Sequence, residues 1–240
     1  MITSPHNPLL KDIRRLQRRR DGRFVAEGED LLAAADAAGW QALARLRAGV
    51  EVQAEVLAKV SALGSGTREL GVFAERWAPA PLGPLCVHLH GVGDPGNVGA
   101  VLRGAHAFGA ASVVLGPGCA DPFSPKAVRA SMGAVFTVPV ARGEVEDLPG
   151  ERVALVAGEG ESLAGVAAGR ASPPPSGAQA AAAAAGPALS LVVGAERAGL
   201  PGEVKATCDR VAHIPIRGDS LNAAMAATIG LYELAGRLAG

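Results

Sequence analysis

From residue 85 onward, apolar residues arrive in short, nearly continuous runs at 85–90, 112–115, 135–140, 153–157, 189–193 and 211–216, each followed by a Gly-bearing turn. Runs this short and continuous are expected of strands buried on both faces. Between them the apolar positions return with helical spacing, at 97–108, 125–132, 201–208 and 220–238. In the first of these, Val98, Val101, Leu102 and Ala105 form a stripe at i, i+3, i+4 and i+7, with Asn97 placed to cap it and Arg103 well off it. Alternating β and α elements predict an α/β fold with a mostly parallel sheet covered on both sides.

The first 77 residues have a different rhythm: a basic helix, a short strand at 23–26 and an Ala/Leu-rich helix at 30–38. Pro79, Pro81 and Pro84 then interrupt any period, and 78–84 is expected to be an extended linker. The predicted organisation is an N-terminal domain at 1–77 and a larger one at 85–240. Residues 171–188 carry Pro173, Pro174, Pro175 and a six-alanine run without an amphipathic face, which predicts a surface insertion.

Composition adjusts this picture. At 240 residues, with 49% hydrophobic and 19% charged residues, the chain can bury a sizeable core. Aromatic residues make up 3%, too few for base stacking to dominate nucleic-acid recognition. The net charge is zero, but Lys11, Arg14, Arg15, Arg18, Arg19, Arg20 and Arg23 crowd one short stretch against Asp12 and Asp21 alone. Arg15, Arg18 and Arg19, extended by Lys11, share the tightest helix face, opposite Leu9, Leu10, Ile13, Leu16 and Gln17, and are candidate phosphate contacts. Cys86, Cys119 and Cys208 are odd in number and widely spaced, as in a reducing cytoplasm. No signal-peptide core or bilayer-length apolar run is seen.

Two familiar chemistries are set aside. Gly91-Val-Gly-Asp-Pro-Gly96 matches a dinucleotide-binding turn, but the second strand ends in Leu115-Gly-Pro-Gly118 without the required carboxylate, and Pro95 removes an N–H from the turn. Cys86, His88 and His90 alternate along one strand face, yet His6, His106 and His213 supply no spaced partner, so no metal site is expected and a half-polar strand face is.

Three further segments share the form strand, Gly-rich or polar turn, helix: Asp94-Pro-Gly-Asn-Val-Gly-Ala-Val-Leu-Arg103, Leu191-Val-Val-Gly-Ala-Glu-Arg-Ala-Gly-Leu200, and Ile214-Pro-Ile-Arg-Gly-Asp-Ser-Leu-Asn-Ala223. Such turns expose backbone groups to a ligand, and three in one domain point to one pocket. In order and approximate spacing they resemble the three motifs of the SpoU/TrmH-type RNA ribose 2′-O-methyltransferases of the SPOUT superfamily, with Gly116 to Ala134 similar to the segment joining the first two. The N-terminal part, with Asn7-Pro8 and Phe24 to Leu32, resembles the small α/β RNA-binding domain of many members.

The resemblance implies a parallel-sheet SPOUT domain with a deep trefoil knot and an S-adenosylmethionine pocket built around Gly194, Ile214 and Leu221. It implies that Arg103 activates the ribose hydroxyl, with Asn97, Glu196, Ser220 and Asn222 orienting substrate and arginine, and Arg129 as a phosphate contact. A homodimer acting on RNA is implied, and the extra N-terminal domain points to ribosomal RNA. A transfer-RNA ribose methyltransferase and an inactive RNA-binding protein of the same fold are the alternatives. Two departures stand out: Ala195 replaces the family's asparagine, and the third motif has two residues fewer between Ile216 and Ser220.

Overall fold

The computed structural model describes residues 1–62, 66–169 and 188–239. Helix α1 (Pro8–Arg18) leads into β1 (Arg23–Glu27), α2 (Glu29–Ala37), β2 (Ala44–Arg47), α3 (Ala54–Ala58) and β3 (Glu69–Ala74). The three strands form an antiparallel sheet in the order β1-β3-β2. The basic helix is capped by Asn7, whose side chain accepts the Leu9 N–H at 2.9 Å, and has Pro8 in its first turn, where a missing N–H does no harm. Leu10, Ile13 and Leu16 are buried against one face of this sheet, with Val25, Leu70 and Val72. Since strand side chains alternate, Phe24, Ala26 and Phe73 point the other way.

The second sheet is built from β4 (Leu85–Leu89), β5 (Ser112–Leu115), β6 (Val140–Arg142), β7 (Glu151–Leu155), β8 (Glu161–Ser162), β9 (Leu189–Val193) and β10 (Arg210–His213), in the order β6-β5-β4-β9-β7-β10-β8. Every neighbouring pair is parallel. Helices α4 (Pro95–Ala107), α5 (Pro125–Ala130), α6 (Leu163–Ala168), α7 (Gly202–Ala206) and α8 (Ala223–Ala239) complete it. Leu85, Val87 and Leu89 face the core they share with α4 and α8, while Cys86, Val114, Ala154 and Val192 face a second cluster closed by Leu148 and Leu200. Burial on both faces explains why these strands read as nearly continuous apolar runs. The Val98, Val101, Leu102 and Ala105 stripe is fully buried, and Arg103 is exposed.

Several expectations are corrected. The run 135–140 is not a strand. Ala134–Phe136 is a 3-10 turn, the Ser131 hydroxyl accepts the Val135 N–H at 3.4 Å, and pairing starts only at Val140, past a proline that cannot donate to a ladder. Val135, Phe136 and Val138 are buried as a plug rather than a ladder. The C-terminal helix starts at Ala223, not at 220, because Asn222 caps it, accepting the N–H groups of Ala224 at 3.0 Å and Met225 at 3.3 Å. Cys86 and His88 do not form a half-polar strand face. Both are buried, and burial lowers the His88 pKa to about 4 while its Nε2 lies 3.2 Å from the Gly143 carbonyl oxygen. The 78–84 stretch is extended but docked: Ala78 bridges to Ala141, and Ser112 exchanges hydrogen bonds with the Leu82 N–H and C=O. The expected insertion at 171–188 lies, but for Ala188, outside the described residues.

The two sheets meet in an aromatic seam. Phe24 lies 5.0 Å from Phe123 and 5.8 Å from Phe136, Trp40 is edge-on to Phe136 at 5.2 Å, and Trp77 is edge-on to Phe123 at 5.2 Å. With Phe73, this seam takes six of the chain's five Phe, two Trp and one Tyr. The scarce aromatics hold the molecule together, leaving little for stacking on bases.

Candidate functional site

The parallel sheet delivers its turns to one end, at the carboxyl ends of β4, β9, β7 and β10. Here the three motifs, far apart in sequence, come into contact. The Asn97 amide Nδ2 donates to Glu196 Oε1 at 2.6 Å, and Asn222 Nδ2 donates to the same oxygen. Asn222 Nδ2 also lies 3.1 Å from Asn97 Oδ1. One carboxylate is thus held by two neutral amides, which orient it without cancelling its charge.

Each member is fixed by its own helix start. Asn97 is not the cap of α4, as its sequence position implied. Asp94 is the cap, with Pro95 in the first turn, and its Oδ1 accepts the Asn97 N–H at 3.1 Å. Its Oδ2 accepts from Lys126 Nζ at 2.6 Å. Lys126 and the Asn97 N–H hold the Asp94 carboxyl below its ordinary range. Asp94 carries no weight in the motif reading, yet it sets the position of Asn97; an acid three residues before the asparagine was the available signal. Asn222 has two tasks, capping α8 through its oxygen and binding Glu196 through its nitrogen.

Beside this cluster lies an open cleft lined by backbone and apolar groups of Leu155, Val156, Gly194, Ile214, Ile216 and Leu221. Glu196 and Ser220 are its polar lining. Gly194, Ile214 and Leu221, named from the motifs, therefore share one wall system. Gly194 has no alternative there: a Cβ would lie 2.3 Å from the Gly199 carbonyl carbon. Apolar walls with a few polar points suit a mostly neutral organic ligand. S-adenosylmethionine, a purine nucleoside bearing a sulfonium chain, matches this chemistry, with Glu196 as the one lining anion available to a cation. Ala195 also lines the cleft, and the missing amide of the family's asparagine leaves both Glu196 contacts intact.

Other candidates lie outside the cleft. Arg103 is exposed, makes no salt bridge or hydrogen bond among the described residues, and is not part of the cleft wall. Arg129 is exposed on α5 and borders a small depression with Glu27 and Ala62 at the junction of the two sheets. At the end of α1, Arg18 and the following Arg19 are exposed, but Arg15 binds Asp12 at 2.6 Å and Asp21 at 2.7 Å, and Arg23 binds the same two acids. Much of the basic run is thus neutralised locally. Among the described residues, no group of three or more His, Cys, Asp or Glu could hold a metal, and no helix is long and apolar enough to cross a membrane.

An all-parallel sheet with a ligand cleft at its carboxyl edge, rimmed by residues of three separate turns, defines an α/β ligand-binding class. Residues 84–232 match the model of the SpoU rRNA methylase family, and the chain belongs to that family. It is 39% identical over 147 residues to an uncharacterized tRNA/rRNA methyltransferase of Mycobacterium tuberculosis, covering 60% of this chain and 49% of the relative. It is 35% identical over 147 residues to the 23S rRNA (guanosine(2553)-2′-O)-methyltransferase of Bacillus subtilis, covering 60% and 55%. The match thus spans about half the length of these curated relatives. Among solved structures, an AdoMet-bound rRNA methyltransferase from Sinorhizobium meliloti superposes with a TM-score of 0.81 at 31% identity, covering 97% of this chain and 96% of that one.

Proposed function

We propose that the protein transfers a methyl group from S-adenosylmethionine to a ribose 2′-hydroxyl of RNA, with ribosomal RNA as the substrate class. The observation that carries this is the joining of Asn97, Glu196 and Asn222, across three motifs, at the rim of an apolar cleft. A ribose hydroxyl is a poor nucleophile at neutral pH, so the protein must place it in line and draw off its proton. Bound in the cleft, S-adenosylmethionine supplies an electrophilic methyl group. The walls formed by Leu155, Ile214 and Leu221 exclude water from it.

Arg103 acts on the substrate side: its guanidinium stabilises negative charge that develops on the hydroxyl oxygen, whose proton passes to solvent as the methyl group is transferred. Glu196, locked by its two amides, orients substrate and arginine, and Ser220 supplies a further hydrogen bond at the mouth. Arg18 and Arg19, with Arg129 and a partly neutralised Arg15, contact phosphates. The N-terminal unit, residues 1–77, is the RNA-binding domain. A trefoil knot in the second unit is part of this reading, supported by the family match. A homodimer is part of this reading; Met225 at 57% and Tyr232 at 63% exposure give α8 an uncovered apolar face. The working place is the cytoplasm.

Tritium transfer from labelled S-adenosylmethionine to RNA, followed by nuclease mapping, tests the proposal. Label at a 2′-O-methylated nucleotide is expected. Absence of S-adenosylhomocysteine binding in a folded protein, where a micromolar affinity of about −8 kcal/mol is expected, would favour the inactive RNA-binding alternative.

A further inference from the structure

Arg20 closes the basic run and looks like one more phosphate contact, but the fold turns it inward. Its side chain is 22% exposed, its Nη2 is bonded to Asp121 Oδ2, and its Nε lies 3.5 Å from Glu75 Oε1. Glu75 also accepts from the Trp77 indole at 3.2 Å. Arg20 stands just beyond α1 and Glu75 just beyond β3, whereas Asp121 lies in the loop after β5. The three charges therefore tie the three-stranded unit to the parallel sheet at one edge of the aromatic seam. An apolar seam resists separation but is non-directional. Polar ties are directional and fix the angle.

The loop that receives Arg20 is itself laced to the turn carrying the first motif. The Gly116 N–H and the Cys119 thiol both donate to the Leu89 carbonyl, at 2.9 and 3.0 Å. The Gly91 N–H donates to the Pro117 carbonyl and the Ala120 N–H to the Val92 carbonyl, each at 2.9 Å. Backbones approach so closely that a Cβ on Gly118 would lie 3.3 Å from the Gly91 Cα. Two residues after Val92, Asp94 holds Asn97 by its N–H. A continuous set of short contacts thus runs from the end of the basic helix to the amide that grips Glu196. Another polar tie across the seam, Trp40 Nε1 to the Phe136 carbonyl at 2.8 Å, reaches the 3-10 turn instead.

We propose that the Arg20–Asp121–Glu75 clamp positions the N-terminal unit relative to the methyl-transfer cleft and so selects which ribose of a bound RNA is methylated. This rests on the function proposed above. Arg20, Asp121 and Glu75 touch neither donor nor acceptor; they act through the angle between the two units and through the 116–121 loop. A displacement of about 1 Å between a bound nucleotide and the cleft lowers turnover by up to about 100-fold.

The test uses the full chain with Arg20→Ala, Arg20→Lys and Asp121→Asn. Asp121→Asn keeps an oxygen for the Phe123 N–H, which Asp121 Oδ1 accepts at 2.7 Å, so the turn is retained while the charge is lost. Three readouts are needed: amide exchange over 89–97 and 116–121, turnover with mapping of methylated nucleotides, and RNA affinity against salt. For Arg20→Ala and Asp121→Asn, exchange in both segments speeds up, kcat falls about tenfold with KM within about twofold, and methylation spreads to neighbouring riboses. Arg20→Lys, which keeps the charge, restores most of the site selection.

Unchanged exchange and an unchanged methylation map in both variants would overturn the proposal. So would an Arg20→Ala protein that loses RNA affinity and salt dependence at constant kcat, since Arg20 would then be a phosphate contact. If the wild-type protein methylates no RNA, the function proposed above fails and the selective role with it. The exchange data then separate that failure from a clamp that does not couple the segments.

Discussion

Two charged clusters illustrate different uses of polar groups. In the first, Asp12, Arg15, Asp21 and Arg23 lie within twelve positions and pair as two acids with two bases. In the second, Asn97, Glu196 and Asn222 come from three distant motifs, and one carboxylate is gripped by neutral amides. Local pairing satisfies charge near where it arises in the chain and leaves little field for a partner. Amide pairing fixes a carboxylate in place and leaves its charge available. The first cluster resembles a binding site in sequence and is largely self-neutralised; the second is named there only through motif resemblance, and its mutual contacts form when the chain folds.

The strongest way to break this comparison is at the reacting end. Arg103→Ala should lower methyl transfer by about 10³-fold while calorimetry shows S-adenosylhomocysteine binding unchanged, because Arg103 lies outside the cleft wall. Equal loss of both would remove the substrate-side role. Glu196→Gln should follow, with turnover down about 100-fold, since the amides keep a partner but the charge is gone. Wild-type turnover in this variant would mean the cluster is only structural.

Smaller effects sharpen the contrast. Asn222→Ala removes a helix cap as well as a Glu196 contact, and urea unfolding should show a loss of about 1 kcal/mol. Replacing Arg18 and Arg19 together should reduce the slope of log affinity for single-stranded RNA against log salt by about 0.7 for each lost contact. Arg15→Ala should change it less, because Asp12 and Asp21 already occupy that guanidinium. Equal slopes would show that these pairs open on binding.

The smallest effect is in titration. The Arg23 and Arg15 guanidinium groups depress the Asp21 pKa to about 2. A depressed carboxyl supports the fold above its unfolded pKa and loses that support as pH falls through the folded value. Carboxyl resonances should therefore show Asp21 titrating near pH 2, and a midpoint near 3.8 would mean the pairs do not persist in solution.

How much of this was legible beforehand follows from what each signal depends on. The runs 112–115 and 189–193 match β5 and β9 residue for residue, because burial on both faces leaves a nearly continuous apolar signature. Strands β2 and β3 were not foreseen: Arg45 and Arg47 break up the four residues of β2, and Gly71 interrupts the apolar stretch Leu70 to Ala74 of β3. Helix α6 is a six-residue piece, and β8 a two-residue edge, both below what periodicity resolves. Gly194, Ile214 and Leu221 were found through motif resemblance, since backbone-lined clefts leave little side-chain pattern. The inward turn of Arg20 was beyond reach, because a cation's partner 101 residues away leaves no trace in local spacing.

The aromatic seam has an optical consequence. Both tryptophans, Trp40 and Trp77, are built into it, and the cleft lining contains none. Intrinsic indole emission therefore watches a single event, the docking of the two sheets. Occupation of the cleft should pass nearly unseen, whereas a red shift that precedes the loss of far-ultraviolet ellipticity would mark the units parting while each is still folded. The chain carries its own colour gauge of that joint, with no dye attached.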